Sequence, residues 1–125
     1  DGRGDGNGDA ADVALGPLPH PLIELSAFDD GSTDRTWALL HDQWAPYLRN
    51  RGWKVILGRR PSPPGGCGVA KNSAILQSSG RFICFQDVDD LSMPERIDVQ
   101  LTAAQLKPQA LIGARVRRDP EGSTE

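Results

Sequence analysis

Arg81-Phe82-Ile83-Cys84-Phe85-Gln86-Asp87-Val88-Asp89-Asp90 runs from an apolar stretch straight into three carboxylates within four positions. Phe82 to Phe85 is a continuous apolar run, the pattern expected of a strand buried on both faces. Cys84 is expected in the core there, as a small apolar residue. Asp87, Asp89 and Asp90 then stand at the carboxyl end of the expected strand, Arg81 to Gln86. Ser92 and Glu95 follow with the spacing of a capping box, and Pro94 is tolerated in the first turn of a helix. Ile97, Leu101 and Ala104 give that helix an apolar line, and Lys107-Pro108 stops it.

Working outward, the same order of elements occurs upstream. Leu22 to Phe28 reads as a short, mostly apolar strand, and Asp29-Asp30-Gly31-Ser32 as the turn after it. Ser32 or Thr33 can cap a helix, with Asp34 favourable near its positive end. Trp37, Leu40 and Trp44 line one face of that helix, which fits core packing better than a stacking surface. Pro46 is expected to end or kink it. Trp53 to Leu57 is a second strand. Gly58 to Gly68 is a loop with three prolines and four glycines, expected to move when no ligand is bound. Ala70 to Ser78 is a short helix closed by Gly80, and Ala110 to Val116 a last strand. The order β-α-β-loop-α-β-α-β predicts an α/β fold, a parallel sheet covered by helices.

The chain has 125 residues, enough for one compact domain. Residues 1–21 are rich in Gly, Asp, Ala and Pro, and are expected to be a disordered acidic tail. Asp5, Asn7 and Asp9 begin like a calcium loop, but Ala10 stands where the loop requires Gly and Gly16 where it requires Glu. A net charge of −3 argues against a general nucleic-acid binder, although Arg115, Arg117 and Arg118 form one basic cluster. Cys67 and Cys84 lack metal-ligand spacing, and a reduced, cytoplasmic setting is expected. No apolar run approaches the roughly 20 residues of a membrane helix.

In parallel α/β sheets, ligands bind beyond the carboxyl ends of the strands. Asp29-Asp30 and Asp87-Val88-Asp89-Asp90 are both expected there, on one shared edge. Carboxylates one residue apart suit Mg²⁺ or Mn²⁺, which take oxygen ligands and keep positions for phosphate. The plainer alternative is a solvated acidic turn capping a helix. Lys71, near the start of a helix after the loop, suits a phosphate or nucleotide contact; its alternative is a surface lysine. A phosphatase of the haloacid-dehalogenase type would use Asp87 as nucleophile and Asp89 as acid. Leu91 departs from that motif, and Asp87 comes late in the chain.

Three stretches together resemble the family 2 inverting glycosyltransferases. Phe28-Asp29-Asp30-Gly31-Ser32-Thr33-Asp34 is similar to their uridine-binding turn. Gly68-Val69-Ala70-Lys71-Asn72 is similar to the helix after their nucleotide loop. Ile83 to Asp90, followed by Met93-Pro94, resembles their Asp-x-Asp metal motif. The resemblance implies a GT-A fold and a nucleotide-sugar donor with UDP. Asp30 would contact the uracil, Lys71 the nucleotide and Asp87 the ribose. Asp89, with Asp87, would hold Mn²⁺ or Mg²⁺ at the diphosphate, and Asp90 would support the loop. A narrower likeness, at Ala70 to Asn72, Gln77 to Gly80, Arg115 to Pro120 and Ser123 to Glu125, points to a branch that transfers galactose from UDP-galactose to a tRNA base.

The departures shape the expectation equally. The family opens with a strand and a Pro-x-x-Asn-like turn, and residues 1–21 contain neither. The general base is expected beyond Glu125. The chain is therefore expected to be a partial glycosyltransferase domain over 22–118, its first strand missing, with 119–125 a truncated continuation. A fragment of this kind would be inactive alone, or a non-catalytic scaffold that binds UDP weakly.

Overall fold

A computed structural model describes residues 23–117. The expectations on 1–21, Leu22, Arg118 and 119–125 lie outside the described residues. The chain is α/β and divides after Ser78 into two compact units.

In the first unit, β1 (Glu24–Asp30) pairs in parallel with β2 (Lys54–Arg60). Glu24 lies opposite Lys54, Asp29 opposite Arg59 and Asp30 opposite Arg60. All three pairs are ionic, at 2.9, 3.1 and 3.6 Å respectively. This charge ladder explains why both strands outrun the expected ends. Asp29 and Asp30 belong to β1 rather than to a turn, and Gly58, Arg59 and Arg60 belong to β2 rather than to the loop. Opposite charges facing each other favour continued pairing where the apolar pattern has ended. Gly31, at φ 83°, then makes the turn.

The connection between the strands is helical: α1 (Thr36–Ala38), a π-helical stretch (Leu39–Trp44) and α2 (Ala45–Arg49). Pro46 neither ends nor breaks it. Proline has no N–H and crowds the carbonyl four residues earlier. The wider turn before it relieves that crowding, with the Ala45 N–H bonded to Leu40 O, five residues back. Ala45 and Val55 are the buried apolar residues among those described, and α2 packs on β2. Trp37 is half-buried and stacks on His41, while Trp44 is exposed and meets Tyr47 edge-on. The expected core role of Trp44 is thus corrected, because the π turn rotates it away from Trp37's line.

The helix α3 (Cys67–Gln77) starts three residues before the expected position and covers the sheet. Ser26 Oγ donates to Ala74 O at 2.6 Å, and Gln77 Nε2 donates to Ser26 Oγ and Ala27 O at 3.0 and 2.9 Å. Gly58 makes this approach possible, since a Cβ there would lie 2.6 Å from Phe28 Cδ2. The helix ends at Ser78 in extended conformation, with Ser78 N–H and Oγ both bonded to Ile75 O. Gly80 is not its cap.

The second unit holds α4 (Arg96–Leu106). The strands expected at Arg81 to Gln86 and Ala110 to Val116 do not form. Ile83 and Phe85 are 54% and 51% exposed, and Cys84 is exposed too. An apolar run becomes a buried strand only with a ladder partner and cover on both faces, and the described residues give this one neither. Its polar groups turn to α4 instead: Arg96 Nη2 donates to Phe85 O at 2.7 Å. The Ser92–Glu95 capping box is also absent. Glu95 caps without a side-chain bond, and the Ser92 hydroxyl goes to Gln86 Oε1.

Candidate functional site

Side chains alternate across a strand, and this sets the first unit's geometry. Asp30 shares its face with Ser26 and Phe28, under α3. Asp29 faces the other way, toward Trp37. The two adjacent carboxylates therefore do different things.

Asp29 is buried, at 4% exposure. Its Oδ1 accepts the Ser32 N–H at 3.0 Å, closing the turn after β1. Its Oδ2 accepts no hydrogen bond and faces Arg59 Nε as an ion pair. The same guanidinium donates from Nη2 to Ser32 O at 3.2 Å and lies 5.4 Å from the centre of the Trp37 ring.

Asp30 is half-buried at the carboxyl end of β1. Its Oδ2 accepts the Gly66 N–H at 2.7 Å, and Gly66 is the N-cap residue of α3. The carboxylate thereby sits at the positive end of an 11-residue helix. Its Oδ1 accepts no hydrogen bond and has Arg60 Nη1 at 3.6 Å. That oxygen is buried; the cleft at this end of the strands, of about 600 Å³, is lined by Ser32, Thr33, Arg59, Arg60, Pro61 and Ser62 and not by Asp30 itself. Hydroxyls and guanidinium groups on that lining suit a polar, anionic ligand.

Lys71 is half-buried in α3. Because the helix begins at Cys67, Lys71 lies in its second turn rather than at its start. The helix N-terminus itself is offered by Gly66 and Cys67.

In the second unit, Asp87, Val88, Asp89 and Asp90 form an exposed turn. The Asp90 N–H bonds Asp87 O at 3.2 Å, and Gln86 Nε2 braces Asp87 O and Asp90 O at 2.9 and 2.8 Å. Gln86 is fixed in turn by Arg96 Nη1, at 2.6 Å from its Oε1, and Arg96 Nε reaches Gln100 Oε1 at 3.0 Å. The turn is thus braced through the backbone carbonyls of Asp87 and Asp90. Among the described residues no three acidic, His or Cys side chains gather closely enough to hold a metal by themselves. Two carboxylates would suffice only for a cation whose remaining ligands are water or phosphate oxygens, as is common for Mg²⁺.

Sequence reasoning singled out Asp30, Lys71, Asp87 and Asp89. It missed Arg59, Arg60 and Arg96. The signal for the first two was present: an Asp-Asp pair ends one strand and an Arg-Arg pair ends the next, at matching register.

A parallel strand pair with crossover helices and an acidic strand end defines a Rossmann-like α/β domain. The model of glycosyl transferase family 2 matches residues 11–125, and the chain belongs to that family. The match reaches beyond both ends of the 22–118 segment. No solved structure matches the chain significantly. Among the described residues no helix is long and apolar enough to cross a membrane.

Proposed function

We propose that this chain carries the donor-nucleotide part of an inverting glycosyltransferase that uses a UDP-sugar. The observation that carries the reading is Asp30: one carboxylate oxygen is tied to the start of α3, and the other is buried without a hydrogen bond, facing Arg60, which itself lines a cleft. Uracil offers an N–H flanked by two carbonyls. A carboxylate is an acceptor when ionised, so Asp30 Oδ1 suits that N–H, with Arg60 giving way to it. Lys71 serves as the basic nucleotide contact and Asp87 as the ribose contact. Asp89, with Asp87, holds Mn²⁺ or Mg²⁺ at the diphosphate. When bound, the cation offsets the negative charge that develops on the leaving diphosphate. None of the described residues is assigned as general base.

The likeness to queuosine-tRNA galactosyltransferase extends the proposal to galactose as the sugar and the queuosine base of a tRNA as the acceptor. Calorimetry with UDP and CDP tests the base contact. UDP is expected to bind at least tenfold tighter, a difference of about 1.4 kcal/mol. Equal affinities, unchanged by Asp30→Asn, would remove Asp30 from the site. A second reading, UDP binding without transfer, is favoured by the exposure of Asp87, Asp89 and Asp90 on a turn with no strand behind it.

A further inference from the structure

We propose that Arg59 is a positioning residue that fixes the base-reading carboxylate. It does so through three contacts from one guanidinium, and the inference rests on the nucleotide reading of Asp30. Nε pairs with Asp29 Oδ2 at 3.1 Å, Nη2 donates to Ser32 O at 3.2 Å, and Cζ lies over the Trp37 ring, 5.4 Å from its centre. Asp29 and Ser32 are the two ends of the turn, already joined by the Ser32 N–H to Asp29 Oδ1 bond. Arg59 therefore closes a ring through both the side chain and the backbone of that turn. Asp30 lies inside the ring, one residue after Asp29.

Two consequences follow from the alternation of side chains. Arg59 lies on the opposite face from Asp30, so it positions Asp30 only through the backbone. Arg60 faces Asp30 directly but stands at 3.6 Å, too far to hold it in a hydrogen bond. The direction of Asp30 is thus set by the Gly66 N–H on one side and by the Arg59 ring on the other. A planar guanidinium makes these contacts together because its donors are fixed in a fork; an ammonium group cannot. Asp29 needs such a partner in any case, since a buried carboxylate demands a compensating charge. The link to Ser32 is what turns an ion pair into a positioning device.

The experiment measures UDP and CDP binding by calorimetry for the full chain and for Asp30→Asn, Arg59→Met and Arg59→Lys. Selectivity between the two bases is the readout, because general loosening weakens both nucleotides alike. Arg59→Met is expected to cut the preference for UDP about tenfold, the size expected for losing well-directed hydrogen bonding to a charged group. Arg59→Lys keeps a cation beside Asp29 and so guards against loss of the fold. It is expected to keep only part of the preference and to show faster amide exchange at Ser32. If Asp30→Asn abolishes the preference while both Arg59 variants retain it in full, the positioning role is overturned and the nucleotide reading stands. If the parent chain has no preference for UDP, both fall together. Unchanged Ser32 exchange in Arg59→Met and Arg59→Lys overturns the positioning role whatever the nucleotide affinities.

Discussion

At the scale of single residues, the main lesson is that neighbouring carboxylates of one motif have unlike tasks. Asp29 is buried structure, whereas Asp30 is half-buried, with one oxygen tied to α3 and the other buried without a hydrogen bond. Replacing Asp29 by Ala removes the Ser32 bond and the Arg59 pair. Arg59 is 44% exposed, so its charge returns to water and the pair's worth is discounted accordingly. Asp29→Ala is expected to destabilise the first unit by about 1–2 kcal/mol, chiefly through the lost hydrogen bond to the turn. Urea unfolding checks this, and an unchanged midpoint would show that the turn stands without Asp29. Asp34 supplies a second residue-scale expectation. The Thr36 hydroxyl and then its N–H, 2.9 Å from Asp34 Oδ1, hold this exposed carboxyl below its ordinary value. A lowered folded value means that the stabilisation is present above the unfolded value, about 3.9, and lost as pH falls through the folded one. An NMR titration should therefore place the Asp34 midpoint below that of a free aspartate; a midpoint at or above it contradicts the contact with Thr36.

At the scale of elements, the packing of α3 on the sheet depends on Gly58. A methyl group there would lie 2.6 Å from Phe28 Cδ2 and would collide with the Gln77 amide that holds Ala27 O. Gly58→Ala is expected to cost about 1–3 kcal/mol through overpacking. Because α3 also carries Gly66, it should shift the Gly66 amide resonance that reports the Asp30 bond. A neutral Gly58→Ala would mean that α3 packs more loosely than these distances require. Five elements with clear periodicity or strong local chemistry were legible in the sequence: β1, the Trp37 helix, β2, α3 and α4. Their ends were not, since the ladder from Glu24–Lys54 to Asp30–Arg60 extends the strands by charge where apolar patterning stops. The run Phe82 to Phe85 misled for a related reason. Composition states what a segment would gain by burial, but not whether a partner strand is present to bury it. Arg96 was invisible because its four acceptors, Phe85 O, Gln86, Ser92 and Gln100, lie together only once the chain has turned.

At the scale of the whole molecule, burial is sparse. Val88, Leu91 and Leu111 are almost fully exposed, and Ala45 and Val55 are the buried apolar residues among those described. Large exposed apolar side chains of this kind favour association, so scattering from the isolated chain should rise with concentration. The same feature sets the expected outcome for binding and catalysis. A diphosphate beside Asp87 and Asp89 meets two negative charges and is repelled unless a cation lies between them. UDP is therefore expected to bind better with Mn²⁺ than with EDTA, and Asp89→Asn to abolish most of that enhancement. Leu91→Thr, a nearby change outside the ligand set, should leave it intact. The enhancement should be modest, because the turn is exposed and braced by Gln86 and Arg96 rather than by a strand, and ordering exposed side chains round a cation costs affinity. Transfer chemistry demands closer placement still, since a displacement of about 1 Å at the reacting centre can cost a hundredfold in rate. The chain alone is thus expected to bind UDP and to transfer no measurable galactose. UDP affinity indifferent to Mn²⁺ in a folded sample would take Asp87 and Asp89 out of the metal site. Robust transfer by the 125-residue chain would show that the exposed turn is already sufficient for the reaction.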